Sequence, residues 1–180
     1  GSAYLYQGEE LGLPEVFELP PEARQDPAFF RTGGAELGRD GCRVPLPWQA
    51  DAPAFGFSQS GAAWLPQPAA FGPLAVDRQS GVPGSTLELY RRLLALRRAR
   101  ALGSGEVRWL RLGPGVLAFD RRTPAGSTRV VLNLGERDWQ IPAHFAVLVA
   151  SDAATQPVVR PDTAVWLAAR DRRRRPRAIA

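Results

Sequence analysis

The clearest periodic pattern in the chain lies between Ser85 and Gly103. Ser85 and Glu88 have the spacing of a capping box, and arginines crowd the last turn, where the helix dipole favours cations. We therefore predict a helix over residues 85–102 that ends at Gly103. Its apolar face would consist of residues at intervals of one, three and four, namely Leu87, Leu89, Tyr90, Leu93, Leu94 and Leu96.

Short apolar runs follow over residues 106–168, and turns containing Gly or Pro separate several of them. Runs of this length that recur about every ten residues are typical of a small antiparallel β-sandwich. We predict such a domain over residues 104–170. The runs are Val107–Leu110, Val116–Phe119, Arg129–Leu134, Trp139–Ile141, Phe145–Ala150 and Ala164–Ala168.

The chain before the helix has a different pattern. Ala3–Tyr6 is a short aromatic run that predicts a buried strand ending near Gly8. Between Leu11 and Gly84 no period is visible, and eleven of the chain's 17 prolines occur there, which disfavours long helices and central strands. Aromatic residues are too frequent for a disordered linker. We expect an ordered, function-bearing loop that lies on a scaffold.

These elements do not close into one domain, because one strand, one long loop and one helix cannot bury a core together. The predicted fold class is therefore α/β plus all-β. Residues 1–103 would be the last part of a larger α/β domain, and residues 104–170 the small sandwich. Residues 171–180 are expected to be a basic disordered tail.

Composition narrows the chemistry. One Cys and one His exclude an internal disulfide and a zinc site, and a Ser-His-Asp hydrolase would have to rest on His144 alone. The net charge of +5 is accounted for by the arginines of residues 172–177, so we expect no nucleic-acid or membrane partner. No transmembrane stretch or signal peptide is visible, which favours a cytoplasmic location. The chain contains no Met, and we expect it to begin inside a longer or processed protein.

Several segments that lie in order along the chain carry a family resemblance. They are Tyr6–Leu13, Gly38–Trp48, Phe55–Phe57, Trp64–Gln67, Leu89–Leu93, Val116–Phe119 and Asp162–Leu167. Together they resemble the α-glucosidase branch of glycoside hydrolase family 13, the α-amylase family. Within that family, the sequence of Gly41–Pro45 resembles maltases and oligo-1,6-glucosidases of the actinobacterial type, which GC-rich genomes encode.

The resemblance implies a (β/α)8 barrel followed by a β-sandwich. Ala3–Tyr6 would be the eighth barrel strand, residues 7–84 its βα-loop, residues 85–102 the eighth helix and residues 106–168 the sandwich. It also implies retaining hydrolysis of α-glucosidic bonds by an Asp nucleophile, a Glu acid/base and a third acid, all upstream of Tyr6. The chain would then supply no catalytic residue, and alone it would be inactive. No clustered oxygen-ligand motif is visible in the sequence, so we name no metal ligand and no cofactor for this chain, and the calcium dependence of the whole enzyme stays open.

Arg39, Asp40 and Arg43 are the candidate substrate-binding residues, because an Arg fork beside a carboxylate can bracket a sugar hydroxyl. The resemblance implies that this segment lines the pocket of the non-reducing glucose and that one arginine reaches the sugar. Spacing does not decide between Arg39 and Arg43. The alternative is an Arg–Asp salt bridge that only holds the loop. Gln7 is a further candidate at the pocket mouth.

Other residues have more than one interpretation. Glu9 and Glu10 are unlike a catalytic dyad, because neighbours on an extended strand point to opposite faces; we expect one to structure the loop and the other to face the rim. We expect Cys42 to be a buried structural thiol and His144 to lie on the surface or in the core. Three aromatic residues either stack on sugar or, more commonly, pin the loop as buried anchors: Trp48, Phe57 and Trp64.

The leading hypothesis is the C-terminal portion of an α-glucosidase that acts on maltose- or isomaltose-type oligosaccharides. The linkage preference stays open. One alternative is a glucosyl-transferring or isomerising relative such as trehalose synthase or sucrose isomerase. The other is a non-enzymatic homologue that retains the barrel and has lost its acids.

Overall fold

The computed structural model describes residues 1–152, 155 and 157–170 of the chain. It divides into two compact units. One unit is Tyr4–Glu88, which we call the loop unit. The other joins Gly1–Ala3 to the described residues between Leu89 and Arg170, and we call it the sheet unit. The basic tail over residues 171–180 lies outside the described residues.

The loop unit is built from short helical turns joined by irregular backbone. No strand forms among residues 4–88, all of which the structure describes. Its α-helices are α1, Pro27–Arg31, and α2, Val76–Gln79, followed by the start of α3, Thr86–Ala99. Single 3₁₀ segments lie at Glu9–Leu11, Pro21–Ala23, Asp40–Cys42, Pro53–Gly56 and Ala69–Leu74.

A small apolar core holds the loop unit together. Its buried members are Leu19, Val44, Leu65 and Phe71. The buried side chain of Gln79 adds polar ties, since its Nε2 donates to the carbonyl oxygens of Leu11 at 2.9 Å and Leu74 at 2.8 Å. The proline-rich stretch is therefore an ordered excursion, as its aromatic content predicts.

The predicted buried strand at Ala3–Tyr6 is wrong for this structure. No residue of that run is assigned to a strand, and Tyr4 is 91% exposed. Leu5 and Tyr6 are exposed as well. A strand needs a neighbour to pair its N–H and C=O groups, and no described segment pairs with this run.

Helix α3 forms where the periodic pattern predicts it. Its start is capped as expected, because the Glu88 N–H donates to Ser85 Oγ at 3.3 Å. Its end differs: Ala101, with φ of 51°, takes the left-handed position expected for Gly103. The Leu102 N–H then closes the helix by donating to the Arg97 carbonyl at 2.9 Å. Of the predicted apolar face only Leu87 is buried.

Seven strands make up the β-structure of the sheet unit's described residues. An antiparallel sheet of five strands has the order β1-β2-β3-β7-β5, and a ribbon pairs β4 with β6. All six predicted runs form strands; the sequence pattern missed the two-residue β6. The strands are β1 Glu106–Arg111, β2 Val116–Thr123, β3 Gly126–Asn133, β4 Trp139–Gln140, β5 Phe145–Ala150, β6 Val158–Val159 and β7 Thr163–Ala169.

The core of the sheet unit lies on one face of the sheet. Ala118, Val131 and Val165 are register partners across the three central strands, and all are fully buried. Val159 of the ribbon belongs to the same core. Buried Asn133 fixes the loop after β3, because its Nδ2 donates to the carbonyl oxygens of Arg137 and Val159, both at 2.8 Å.

Two turns of the sheet unit approach each other closely. Gly115 has φ of 72°, and a Cβ placed on it would lie 2.6 Å from the Gly135 Cα. Such a contact leaves room only for glycine at position 115. No helix among the described residues is long and apolar enough to cross a membrane.

Candidate functional site

The predicted arginine segment is tied to a second segment by two buried carboxylates. Asp40 begins a 3₁₀ turn and has no exposed surface. Its Oδ2 accepts hydrogen bonds from the backbone N–H groups of Gln25 at 2.7 Å and Asp26 at 2.8 Å. The Asp40 carboxylate therefore holds the backbone that precedes helix α1.

Asp26 makes the reciprocal hydrogen bonds to the segment that carries Asp40. It caps α1, since its Oδ1 accepts from the Ala28 N–H at 2.9 Å. Its Oδ2 accepts from the backbone N–H of Arg39 at 3.0 Å and from Arg43 Nη1 at 3.1 Å. Each aspartate thus binds the backbone of the segment that carries the other, and we call this pair the crossed carboxylates.

The surroundings of Asp26 favour its charged form. Its pKa lies below the ordinary value of an aspartate, first because the Ala28 N–H donates to it and next because the Arg39 N–H does. Burial opposes this shift, and the charges of Arg43 and Arg39 support it. The carboxylate is therefore ionised at neutral pH and can serve both arginines.

Arg43 is engaged by the crossed carboxylates. Besides its bond to Asp26, its Nη1 lies 3.8 Å from Asp40 Oδ1. That oxygen is buried and has no hydrogen-bond partner, so the charge of Arg43 is its nearest compensation. The Arg–Asp salt bridge that the sequence left as an alternative is present for Arg43.

Arg39 is held differently. Its backbone is fixed, because its N–H donates to Asp26 and its carbonyl accepts from the Cys42 N–H at 3.2 Å and Cys42 Sγ at 3.1 Å. Its side chain is exposed, and its guanidinium donates no hydrogen bond to a described residue. Arg39 therefore offers a cation on a fixed backbone.

Two further residues shape the arginine segment. Buried Arg24 donates to the carbonyl oxygens of Phe17 at 2.7 Å and Leu37 at 3.1 Å, and so fixes the approach to Gly38. Gly38 has φ of 70°, and a Cβ on it would lie 2.5 Å from the Asp26 Cβ and Cγ. The sequence analysis missed Asp26; the signal was the dipeptide Asp26-Pro27, which is typical of a helix N-cap followed by Pro.

Gln7 lies apart from the crossed carboxylates but close to the same turn. It is exposed and lines a groove of about 80 Å³ that also touches Gly41 and Cys42. The groove's lining does not include Arg39, Asp40 or Arg43. The structure thus brings Arg39, Asp40 and Arg43 together. It places Gln7 in a separate groove, beside Gly41 and Cys42 of the 3₁₀ turn.

Glu9 and Glu10 lie in a 3₁₀ turn and not on an extended strand. Glu10 Oε2 accepts from the Gly8 N–H at 2.8 Å, whereas Glu9 is exposed. The expectation that one of the pair structures the loop is confirmed for Glu10. Its basis is a helical turn, because the predicted strand is not formed.

Three predicted anchors and the cysteine are more exposed than expected. Trp48, Phe57 and Trp64 are 47%, 47% and 49% exposed, so they are not buried anchors; Phe71 has that part. Cys42 is exposed, which corrects the expected buried thiol. The 3₁₀ turn directs Asp40 inward and leaves Cys42 outside, two residues later.

The remaining chemistry-bearing residues form no second centre in the part of the chain that the structure describes. His144 is exposed on the turn before β5 and lies against the Phe145 ring, with centroids 4.4 Å apart. No group of three or more His, Cys, Asp or Glu side chains among the described residues could hold a metal ion.

Comparison with known sequences gives a family match. Residues 1–105 match the family described as alpha amylase, catalytic domain. A probable alpha-glucosidase of Rhizobium meliloti is 43% identical over 122 residues, which are 67% of this chain and 22% of the relative. The salivary alpha-glucosidase of Anopheles gambiae is 28% identical over 173 residues, 87% of this chain and 28% of the relative. The chain spans about a quarter of the length of these relatives.

Solved structures show the same likeness. An alpha-glucosyl transfer enzyme is 31% identical, with a TM-score of 0.73 over 92% of this chain and 32% of that one. A trehalulose synthase from Pseudomonas mesoacidophila has a TM-score of 0.75 at 23% identity, over 93% of this chain and 35% of that one, and is similar in fold. The structural neighbours are enzymes built on a (β/α)8 barrel.

Proposed function

Because the chain belongs to the α-amylase family, we propose that it is the C-terminal portion of a retaining α-glucosidase. The enzyme would release glucose from the non-reducing end of maltose- or isomaltose-type oligosaccharides. The chain would supply loops of the substrate pocket, and the catalytic Asp, Glu and Asp would lie upstream of Tyr6. The α-glucosidase relatives support this proposal.

One observation carries the residue-level proposal: Arg39 has a fixed backbone and an exposed guanidinium. A sugar hydroxyl needs a donor that is not already satisfied, and a guanidinium offers several. Arg43 already donates to Asp26. We therefore assign the sugar contact to Arg39 and the loop-holding contact to Arg43.

Asp40 and Gln7 have smaller parts in this proposal. Asp40 is fully buried, so it acts on substrate through the backbone it binds. Gln7 is exposed in the groove beside Gly41, where its amide could meet a hydroxyl at the pocket mouth. The α-glucoside oligosaccharide is the proposed ligand of the complete enzyme.

The experiment compares two proteins, this chain alone and the longer protein that contains it. With p-nitrophenyl α-glucoside we expect turnover by the longer protein and none above the blank by the chain alone. Turnover by the isolated chain would contradict the proposed division of roles. A longer protein without activity would favour the non-enzymatic homologue.

In the longer protein, Arg39→Lys replaces a planar fork by a single ammonium. We expect kcat/KM to fall by roughly a hundredfold, because a substrate displaced by about 1 Å reacts that much more slowly. Arg31→Lys is the matched control, since Arg31 is an exposed arginine on α1. Equal rates for the two variants would remove Arg39 from the pocket.

The second candidate function is transfer of an α-glucosyl group. The solved alpha-glucosyl transfer enzyme at 31% identity supports it. Analysis of products formed from maltose separates the two functions. Glucose alone favours hydrolysis, whereas trehalose or longer oligosaccharides favour transfer or isomerisation.

A further inference from the structure

Asp26 is the shared partner of both arginines in the proposed pocket segment. Its Oδ2 accepts from the Arg39 backbone N–H at 3.0 Å and from Arg43 Nη1 at 3.1 Å. We propose that Asp26 is a positioning residue, which fixes the backbone of Arg39 so that the exposed guanidinium is held where the sugar binds. This inference rests on the proposed function and adds a residue that the sequence analysis missed.

The two oxygens of Asp26 have separate partners. Oδ1 accepts from the Ala28 N–H at 2.9 Å and caps α1, whereas Oδ2 serves the arginine segment alone. Capping and positioning are therefore chemically separable. A substitution that keeps one acceptor at the cap and removes the other isolates the positioning contact.

The location of Asp26 is itself fixed from three sides. Asp40 Oδ2 accepts from the Asp26 backbone N–H at 2.8 Å, and α1 begins at the next residue. Gly38 lies against the side chain so closely that an added Cβ would be 2.5 Å from it. The carboxylate side chain is only 11% exposed, so water competes little for its bonds. A change in position 26 would therefore be transmitted to Arg39.

Asp26→Asn is the informative substitution. Asn is as good an N-cap as Asp, so the amide oxygen can retain the bond from Ala28. The amide nitrogen then faces the donors of Arg39 and Arg43, and neither is satisfied. Asp26→Ser is a second variant, because Ser also caps helices but is too short to reach the arginine segment.

The first measurement uses this chain and follows the backbone amides by NMR. In Asp26→Asn and Asp26→Ser we expect the Arg39 amide to shift and to exchange with solvent at least tenfold faster, because its acceptor is lost. The indole signals of the sheet unit should not move. Asp51→Asn is the matched control, since Asp51 is an exposed aspartate of the loop unit, like Asp26 a residue of Tyr4–Glu88, and pairs with Arg78. An unchanged Arg39 amide would overturn the proposal.

The second measurement is a double-mutant cycle on kcat/KM in the longer protein. We expect Asp26→Asn to lower kcat/KM by roughly tenfold to a hundredfold. In the Arg39→Lys background we expect a further loss of less than about threefold, because the residue that Asp26 positions is already removed. A residue that only supported folding would lower kcat/KM by the same factor in both backgrounds.

The outcomes separate this inference from the proposed function. If Arg39→Lys has no effect, the proposed sugar contact fails. If Arg39→Lys lowers kcat/KM and Asp26→Asn lowers it equally in both backgrounds, the sugar contact holds and the positioning role is overturned. A reduced effect of Asp26→Asn in the Arg39→Lys background supports both.

Discussion

The sheet unit and the loop unit are held together by different interactions. In the sheet unit, backbone ladders pair neighbouring strands around a buried core of Ala118, Val131, Val165 and Leu167. In the loop unit no ladder forms among residues 4–88, and buried polar side chains bond to the backbone instead. Asp40 and Gln79 are examples of such side chains.

This difference follows from the sequence. A chain rich in proline loses backbone donors and cannot build regular ladders. Its remaining N–H and C=O groups still need partners when they are buried. Carboxylate, amide and guanidinium side chains supply those partners, and the same groups then hold Arg39 for its proposed role. In the loop unit, the same side chains therefore stabilise the fold and fix the geometry of the proposed site. In the sheet unit, the stabilising core contains no residue of that site.

The largest expected effect is a cavity in the sheet unit. Leu167 is fully buried, and Leu167→Ala should lower the free energy of unfolding by about 2–5 kcal/mol. Urea denaturation measures the change in the free energy of unfolding, and hydrogen exchange of the β3 amides shows that the change occurs in the sheet unit. Leu134→Ala is the control, since Leu134 is 63% exposed and its loss should cost within about 0.5 kcal/mol. Equal costs would mean that the sheet core does not stabilise this unit.

A smaller effect is expected from a polar deletion in the loop unit. Asp40→Ala leaves the N–H groups of Gln25 and Asp26 without their acceptor, which should cost about 1–3 kcal/mol. Faster exchange of those two amides, with unchanged exchange in the sheet unit, is the expected readout. Asp51→Ala serves as the control because the Asp51 side chain is 86% exposed. Faster exchange throughout the described chain would contradict a local role of Asp40 in binding these two N–H groups.

The loop unit should also respond to acid through Asp26. Its folded pKa is depressed, so its contribution to stability is complete above the unfolded pKa of about 3.9 and is lost as the pH falls through the lower folded value. The groups that face this carboxyl are the Ala28 and Arg39 N–H groups and the charges of Arg39 and Arg43. In an NMR titration, the chemical shift of the Arg39 amide should change only at pH values below the pKa of a free aspartate. Movement at higher pH would contradict the assignment.

The smallest effect is a gain at the end of α3. Ala101 holds a left-handed conformation with φ of 51°, which costs a residue with a Cβ about 1 kcal/mol or more. Ala101→Gly should therefore raise the melting temperature, with a net stabilisation of about 0.5–1 kcal/mol. Ala95→Gly is the matched control inside the same helix and should destabilise by about 1 kcal/mol. A loss from both substitutions would contradict the strain at Ala101.

The sheet unit was the more predictable of the two. Its strands follow alternating or continuous apolar runs that end at Gly and Pro, and α3 follows a helical period and a Ser85 cap. The pattern missed Val158–Val159, because a two-residue strand has no period to detect. It also placed the helix end at Gly103, whereas Ala101 accepts the left-handed position.

The loop unit was less predictable because its contacts join distant residues. Arg39, Asp40 and Arg43 were recognised from their local motif, but Asp26 lies 14 residues from Asp40 through irregular backbone. No periodicity connects positions at such a separation. The prediction of a strand at Ala3–Tyr6 was wrong for a related reason. The side-chain pattern of a segment suggests a strand, but it does not show whether a neighbouring strand is present to pair with it.

The contact between Gly115 and Gly135 has a consequence for sequence variation. A library of all single substitutions, selected for folded protein, should keep glycine at position 115 and accept many residue types at the neighbouring position 114. Adding even one methyl group at 115 would push the two turns apart, because the nearest atom is backbone and cannot rotate away. Mutational tolerance in this part of the chain is thus set by the distance between two backbone segments, the turns at Gly115 and Gly135.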